Sequence, residues 1–383
     1  MGIRMGNRIF KEEHDIFRDT FRKFVQKEVM PGYEHWEEQA MIPRDIWKKM
    51  GANGYLCTWM EEKYGGSGVG FEYAMIMIEE LMYAGAISFW TFLHSDIIVP
   101  YIHSFGSEAQ KMKWLPGCAS GDIISALAIT EPGTGSDVAA IRTTAVRDGN
   151  EYVINGQKTF ISNGIQSDLV IVAAKTDPKS AHKGVSLICV EKDTPGFSRG
   201  RQLKKMGMHG QDTAELVFED CRVPASNILG EEGKGFYYIM QKFQTERLCA
   251  ALMAQAAAEA MLDMTIRYCK ERHIFGKPVS TYQHNTFKIV EMATEIELGR
   301  TLVNDLIADY IAGVDITKRV SMAKAWIPEM VNRVAYDCVQ LHGGYGYMEE
   351  YAICRMTRDV RVIAIFAGTT EVMKTIIGRM MGL

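Results

Sequence analysis

The sequence predicts a mainly α-helical protein with a central β domain: a helical domain (residues 1–121) and a C-terminal four-helix bundle (231–383) flank a small antiparallel β-barrel (122–230). Two changes in the spacing of apolar residues lead to this prediction, because helical spacing gives way to alternation near residue 122 and returns near residue 231. A third observation supports the bundle. Residues 236–275 contain neither Gly nor Pro, so one long helix is expected there.

The N-terminal domain is predicted to consist of amphipathic helices. Phe17, Phe21, Phe24 and Val25 recur three and four positions apart, which indicates a first helix with one apolar face. Ser107 and Gln110 form a capping-box pattern that starts the last helix of this domain. The expected helices cover residues 9–29, ended by Pro31-Gly32, then 43–50, 71–83, 92–105, and a stretch from 107 that ends at Pro116-Gly117.

The middle domain is predicted from alternation and turn signals. Residues 144–162 alternate and carry two dipeptides typical of tight hairpins, Asp148-Gly149 and Asn155-Gly156. Three more strands are expected in "SDLVIVAAKT", "GVSLICVEKD" and "TAELVFEDCRV". Short strands in this order favour a small antiparallel barrel or sandwich.

The C-terminal domain is predicted to contain three long helices and a tail helix. The Ala-rich segment "AALMAQAAAEAMLDM" has the highest helix propensity, and further helices are expected over 281–311 and 317–341, the latter kinked at Pro328. Residues 362–366 form a short β-like apolar run before the turn Ala367-Gly368-Thr369-Thr370. This turn is either an ordinary helix cap or a place where unpaired N–H groups bind a ligand.

Composition limits the classes of function. A net charge of −4 without a long basic run argues against nucleic acid as the main partner. The eight cysteines are scattered without a C-x-x-C pair, so they are expected to be buried thiols in a reducing compartment, and no metal site is predicted. No apolar run is judged long enough to span a membrane, and the start lacks a targeting pattern, so the chain is expected to be cytoplasmic or already processed.

Glu246 is the first candidate for chemistry. The residues at i−7, i−3, i+4 and i+7 are Ile239, Phe243, Ala250 and Met253, which are all apolar. A carboxylate inside a buried stripe has a raised pKa, which suits a general base working near neutrality. The alternative is that Glu246 pairs with an Arg of another helix and only holds register; spacing alone leaves both open.

Other motifs are weaker when taken singly. The loop "ALAITEPGTGSD" lacks the third Gly of a dinucleotide fingerprint and precedes strands, which excludes a Rossmann site. The Gly pair in "QLHGGYGY" is typical of a helix end. The histidines show no metal-ligand spacing, the 24 methionines are typical of core packing, and no G-x-S-x-G elbow occurs.

Together these segments resemble the acyl-CoA dehydrogenase family. The similar motifs run the whole length in order: "ITEPGTGSD", "NGQKTFISNG", "MGMHGQDTAELVFEDCRVP", "GEEGKGF", "ERHIFGKP", "QLHGGYGY" and "AGTTEV". The resemblance implies the three-domain fold, FAD as cofactor, an acyl-CoA substrate, an electron-transferring flavoprotein as acceptor and a homotetramer. No transmembrane span and no nucleic acid are implied.

The resemblance also implies roles for individual residues. Thr130 would bond the flavin, Ser136 would approach the CoA part of the substrate, and Phe160-Ile161-Ser162 corresponds to the family's Trp-x-Thr beside the flavin ring. Arg272, Phe275 and Gln283 would hold the FAD of a neighbouring subunit. The residues implied to bind FAD are Leu127, Ile129, Thr130, Ser136, Phe160, Ile161, Ser162, Arg272, Phe275, Gln283, Gln340, Leu341, Gly343, Gly344, Gly368, Thr369, Thr370 and Glu371; those implied to contact substrate are Ser136, Gln244 and Arg247.

The resemblance bears on the base as well. Many members carry a Glu before the Gly-Thr of the final turn, where this chain has Ala367. In the long-chain and isovaleryl-type subgroup the base comes from a Glu-Arg-Leu motif on the long helix, which corresponds to Glu246-Arg247-Leu248. The backbone N–H of Ala367 would then stabilise the thioester oxygen as it gains charge.

Two alternatives stay open at this stage. One is a cyclic acyl-CoA dehydrogenase whose acid comes from another helix, with Asp96 in "LHSDII" as the candidate. The other is a non-catalytic binding protein of the same fold. Chain length and branching of the substrate depend on packing near residues 89–99 and 240–253, which the sequence does not resolve.

Overall fold

The computed structural model describes residues 9–383, apart from the side chains at positions 181 and 182. Helices come first, a curled sheet follows, and helices return, which is the predicted fold class. The N-terminal helices are α1 (Glu12–Phe24), α2 (Met30–Glu38), α3 (Arg44–Ala52), α4 (Phe71–Tyr83), α5 (Val99–Phe105) and α6 (Glu108–Ser120).

Two predicted helix ends in this domain are wrong. A π-helical segment, Val25–Val29, carries the chain from α1 into α2, so Pro31 falls in the first turn of a helix, where its missing N–H has no partner to lose. Helix α6 likewise continues past Pro116 to Ser120. Gly117 is needed there for packing, since a Cβ would lie 2.5 Å from Ile123. The predicted capping box at Ser107 and Gln110 is present.

The central sheet is mixed rather than antiparallel, which corrects the prediction. Its strands follow the order β1-β4-β2-β3-β7-β6, with β5 also paired to β4. β1 runs parallel to β4, and β2 meets β4 in parallel at one residue pair. The strands are β1 (Ser125–Ala128), β2 (Thr144–Asp148), β3 (Glu151–Ser162), β4 (Leu169–Lys175), β5 (Val185–Glu191), β6 (Phe197–Gln202) and β7 (Thr213–Pro224).

Only one of the two predicted hairpin turns exists. β2 and β3 pair from Asp148 opposite Glu151, so a two-residue turn at Gly149 joins them, with φ +60°. Asn155-Gly156 instead lies inside β3 at a bulge. The Asn155 side chain bonds Asp220 on β7, and a Cβ on Gly156 would lie 2.5 Å from Thr143.

Strand β4 connects the sheet to the helices. Its alternate residues Leu169, Ile171 and Ala173 join the core shared with the helical domains, while Val170 and Val172 belong to the core enclosed by the sheet. Both faces are therefore buried, which explains the unbroken apolar run in the sequence.

The C-terminal helices pack around the long α7. Its Ala-rich middle is fully buried against α9, α8 and α4. Pro328 lies inside α9 without ending it. The helices are α7 (Gly235–Glu271), α8 (Gln283–Ile311), α9 (Thr317–His342), α10 (Ala352–Val360) and α11 (Thr370–Met380).

Two further predictions about this region need correction. Residues 362–366 are not a strand: a 3-10 turn, Arg361–Ala364, leads into the final turn. Helix α7 is, by length and composition, apolar enough to cross a membrane, although no such segment was expected. Because 78% of its apolar window is buried inside the protein, it has the character of a core helix. All eight cysteines are free, and seven are buried as predicted.

Candidate active site

Glu246 lies in the first half of α7 and is partly accessible. Its carboxylate forms no hydrogen bond or ion pair with any residue in 9–383, so the alternative in which an Arg neutralises it to hold register is not what the structure shows. Burial raises the pKa of Glu246 to about 7, and the positive charges of Arg247 and Lys324 oppose part of that rise. This carboxyl is therefore poised to exchange a proton near neutral pH.

The final turn presents unpaired backbone donors. Ala367 has φ +55° and Gly368 φ +89°, and a left-handed conformation costs a non-Gly residue about 1–2 kcal/mol. Within the described residues, the N–H groups of Ala367 and Gly368 donate to nothing. Thr369 caps α11 by accepting a hydrogen bond from the Val372 N–H at 3.3 Å, so the turn is also an ordinary helix cap.

Helix α9 secures this turn with two side chains. The Lys324 ammonium donates to the carbonyl oxygens of Ile363 (2.8 Å) and Gly368 (3.1 Å). The Thr370 hydroxyl donates to Glu329 at 2.9 Å. Since Lys324 also interacts electrostatically with Glu246, the turn and the acid on α7 face the same region.

Two segments predicted to border the flavin ring lie side by side. The Thr159 N–H donates to the Thr130 carbonyl at 3.0 Å, which joins the loop after β1 to β3. Beneath them the buried Lys158 ammonium bonds Glu131 at 2.8 Å and the Ile129 carbonyl at 3.0 Å. This buried ion pair fixes the loop that contains the predicted residues Leu127 to Ser136, of which Ser136 is exposed.

Phe160 is held in an unusual conformation beside this loop. Its φ is +59°, and its side chain is 68% exposed although it is a large apolar residue. Strain of this kind concentrates at ligand sites, and the exposed ring is available to pack on a planar group. Ile161, by contrast, points into the core of the sheet, so only its backbone is free for a ligand. Ser162 ends β3 and is partly accessible.

A second group of predicted residues lies far from Glu246. A cleft of about 770 Å³ is lined by Arg272, Gln340, Leu341, Gly343 and Gly344, together with other residues. Arg272 reaches this cleft from the C-terminal end of α7, 26 positions beyond Glu246, which corresponds to about 39 Å of helix. Gln283 is exposed at the start of α8 nearby.

Phe275 protrudes next to this cleft. It occupies a two-residue turn between β8 (His273–Ile274) and β9 (Lys277–Pro278), where Phe275 has φ +47° and Gly276 φ +81°, as in a type I′ turn. The Phe275 side chain is 95% exposed, so this chain provides it with almost no packing partner. One chain thus carries two separate groups of predicted cofactor residues.

The predicted substrate contacts differ in their availability. Arg247 is buried and forms no salt bridge within the described residues; its Nε atom has no hydrogen-bond partner, and its guanidinium lies over the Phe243 ring at 5.3 Å. A buried cation without a partner is costly, so an acceptor from a ligand would stabilise it. Gln244 is already engaged, because its amide oxygen accepts from the Ile316 N–H at 3.3 Å.

Asp96, the rival acid, also lies in this region. It is buried in the π-helical segment Leu93–Ile98, and both Asp96 and Glu246 interact electrostatically with Cys249. Burial raises the pKa of Asp96 to about 8. Burial is the only cause of this rise, whereas the positive charges of Arg247 and Lys324 favour the ionised form of Glu246, which makes Glu246 the better placed base.

Sequence reasoning missed two buried lysines that organise the site. Lys158 and Lys324 are fully buried, and each bonds a backbone carbonyl next to a predicted site residue. The signal was present for Lys324: Val320, Ile327 and Val331 place it in an apolar stripe, the same pattern that identified Glu246.

The chain matches known proteins over almost its full length. Family models match residues 11–122 (Acyl-CoA dehydrogenase, N-terminal domain), 126–221 (middle domain) and 233–382 (C-terminal domain). The long-chain specific acyl-CoA dehydrogenase of Sus scrofa mitochondria is 46% identical, covering 99% of this chain and 88% of that protein.

Solved structures agree with this relationship. The crystal structure of an acyl-CoA dehydrogenase from Geobacillus kaustophilus is 57% identical, with a TM-score of 0.97 over 99% of this chain and 100% of that one. A glutaryl-CoA dehydrogenase from Mycobacterium smegmatis in complex with FADH2 is 30% identical, with a TM-score of 0.91 over 98% and 95% of the two chains. Fold, motif order and relatives therefore point to one family.

Proposed function

This chain belongs to the acyl-CoA dehydrogenase family of FAD-dependent oxidoreductases, and from that premise we propose that Glu246 is the base that removes the α proton when the acyl-CoA substrate is oxidised. The product is the trans-2-enoyl-CoA. The observation that carries the assignment is a carboxylate with no partner among residues 9–383 and a pKa near 7, on the helix that faces the final turn.

Three groups of this chain take part in the proposed reaction. Glu246 takes the proton from the carbon α to the thioester. The unpaired N–H of Ala367 donates to the thioester oxygen, which gains negative charge as that proton leaves. The side chain at position 367 takes no part, so Ala serves where many relatives carry Glu. Arg247, buried and unpaired, offers a positive charge to the polar part of the substrate.

The residues present fit FAD. Phe160 offers an exposed ring, the loop of Thr130 lies beside it, and the open glycines Gly343 and Gly344 would admit a ligand, since a Cβ on either would meet nothing within 4 Å. FAD, when bound, accepts the hydride from the β carbon. We assign the final turn (Gly368, Thr369, Thr370 and Glu371) and the segment Thr130 and Phe160–Ser162 to one FAD.

We assign the distant cleft to the FAD of a second copy of the chain. Arg272 lies about 39 Å along α7 from the acid, Gln340 lines the same cleft as Arg272, and Phe275 is 95% exposed, with almost no packing partner among residues 9–383. Exposed apolar residues on α8, namely Phe287, Val290 and Leu298, provide a surface for that contact. A homotetramer, as the family resemblance implies, completes every site with residues of two chains.

Two further assignments complete the proposal. The electron acceptor is an electron-transferring flavoprotein, supported by family membership, and reduction of such a protein by the enzyme and acyl-CoA would test it. The protein works in a reducing compartment, the cytoplasm, which its eight free thiols support. The 46% identical relative is long-chain specific, so straight long-chain thioesters are the first substrates to assay.

The test is a substrate panel on the purified holoprotein and its Glu246→Gln variant. Straight-chain acyl-CoA should bleach the flavin absorbance of the wild type, while the variant should keep bound FAD and bind substrate without bleaching. Full bleaching in the variant would defeat the assignment of Glu246. Preference for alicyclic thioesters would favour the cyclic alternative, and a colourless wild-type protein would favour the non-catalytic one.

A further inference from the structure

We propose that Lys324 is a positioning residue for this reaction, which couples the acid Glu246 to the backbone turn that carries the Ala367 N–H. The inference rests on the proposed function. No role for Lys324 follows from the motifs that identify the family in this chain.

Lys324 connects the two reacting groups of the site. It projects from α9, and its side chain is fully buried. Its ammonium donates to the carbonyls of Ile363 and Gly368 at 2.8 and 3.1 Å, on either side of Ala367. Holding both carbonyls restrains the short segment between them, which carries the Ala367 N–H. The left-handed φ of Ala367, +55°, shows that the turn needs such support.

The same ammonium faces Glu246. Lys324 and Arg247 are the two positive groups that oppose the rise in the pKa of Glu246. Arg247 belongs to α7 itself, and its guanidinium lies over the Phe243 ring. Lys324 approaches Glu246 from α9. Lys324 forms no ion pair with any residue in 9–383, so its charge acts on Glu246 without neutralising it through a direct bond.

Other charged or titratable groups near the pair are few. Burial raises the pKa of Tyr101, on α5, well above its ordinary value, and burial does the same for Cys249 on α7. Both stay neutral near pH 7. Glu329, one turn along α9, accepts a bond from Thr370 and interacts with Lys324. Asp96 acts on Cys249 and is mostly protonated at that pH.

A purely structural role would not require a charge. Burial of an ammonium is costly, and it lowers the pKa of Lys324 to about 8. A neutral donor such as a Gln amide could bond the same carbonyls without burying a charge. The retained charge is explained if Lys324 keeps Glu246 ionised at working pH while it orients the turn.

The test compares Lys324→Met, which removes charge and donors, with Lys324→Gln, which removes the charge and keeps a donor. Lys318→Met on the same helix is the control, since Lys318 forms no bond with the described residues. Three quantities are measured: FAD content, the pH dependence of kcat/KM, and exchange of the α hydrogens of a non-oxidisable acyl-CoA analogue with D2O. The last needs no flavin reduction.

We expect both Lys324 variants to retain FAD and to show the acid limb of kcat/KM about one pH unit higher. The plateau should fall about 10- to 100-fold in Lys324→Met and less in Lys324→Gln. Exchange at the α carbon should slow in parallel. An acid limb at the wild-type position in both variants would overturn the proposal, and so would loss of FAD or of the fold in both, because Lys324 would then be structural.

A parallel Glu246→Gln measurement separates this inference from the proposed function. If that variant exchanges α hydrogens at the wild-type rate, the base assignment fails and the inference with it. If it does not exchange and the Lys324 variants keep the wild-type acid limb, only the role of Lys324 is refuted.

Discussion

Helix α7 carries two glutamates with opposite surroundings, Glu246 and Glu259, about 20 Å apart along the helix. Glu259 accepts hydrogen bonds from Arg300 at 2.7 Å, from Tyr83 at 2.6 Å and from Gln255 at 2.8 Å. Arg300 in turn bonds Glu79 on α4 at 2.6 Å, so three helices meet at this cluster. Glu246 has no such partner among the described residues.

The difference shows how surroundings give one residue type a structural role at one point and, under the proposed function, a chemical role at another. An acid whose oxygens all accept hydrogen bonds fixes helix positions, although its ion pair contributes little beyond its own desolvation cost. An acid left without a partner costs stability but can exchange a proton near pH 7. Substitutions at Glu246 and at Glu259 can therefore test the two roles separately.

The largest expected effect is on catalysis by Glu246→Gln. General-base catalysis contributes up to about 10⁴-fold, so kcat should fall by about that factor while FAD stays bound. Glu259→Gln is the matched control on the same helix, and its kcat per bound FAD should stay within about threefold of the wild type. Steady-state turnover with one acyl-CoA and one acceptor measures both. Equal losses in the two variants would show that the comparison is wrong.

The next effect is on stability, where the substitution of Glu259 is expected to matter more than that of Glu246. Glu259→Gln leaves Arg300 with Glu79 as its single carboxylate, so the loss should be about 1–3 kcal/mol, less than for a buried charge left without any partner. Urea unfolding of the apoprotein measures it. Glu295→Gln, which loses a half-exposed pair with Arg333, should cost less than about 1 kcal/mol. A Glu259→Gln variant as stable as the Glu295→Gln control would argue against a stabilising cluster.

A third effect is a pH-dependent gain in stability for Glu246→Gln. The pKa of Glu246 is raised in the folded protein to about 7, so folding favours its protonated form. That contribution is complete below the ordinary Glu pKa and is lost as pH rises through about 7. The Gln variant should therefore exceed the wild type in Tm by more at pH 8 than at pH 5. A difference that does not change with pH would contradict the raised pKa.

The smallest effect is at the cap of α11. Thr369→Ala removes the acceptor for the Val372 N–H and should lower the free energy of unfolding by about 1 kcal/mol. Thr375→Ala, in the same helix, removes only an exposed bond to the Glu371 carbonyl and should cost less. Chemical unfolding of both variants ranks them, and the opposite ranking would mean that Thr369 is not the cap.

The helix interiors and the strand alternation of this chain could be predicted because they depend on local spacing. The helix ends could not be predicted, because tertiary contacts determine where each helix stops. Pro31-Gly32 and Pro116-Gly117 carry the local signal of a helix end, but the chain stays helical through a π segment into α2 and past Pro116 to Ser120. Asn155-Gly156 has the composition of a turn, yet the Asn side chain pairs with Asp220 across β7.

The site shows the same division. The apolar stripe around Glu246 and the cap at Thr369 follow from spacing, whereas the bonds from Lys324 to the final turn join residues about 40 positions apart. The role of Ala367 was implied only by resemblance, because its side chain carries no signal and its backbone angle is set by neighbours. The resemblance had already assigned Arg272, Phe275 and Gln283 to the FAD of a neighbouring subunit, and the length of α7 puts Arg272 about 39 Å of helix from Glu246.

The most direct test of the central claim is the rate of flavin reduction in a single turnover of the wild-type holoenzyme, measured between about pH 5.5 and 8.5. If Glu246 is the base, the rate rises with pH and reaches half its plateau near pH 7, and this limb is absent in Glu246→Gln. A rate that does not change over this range, or a limb that persists in the variant, would contradict the account.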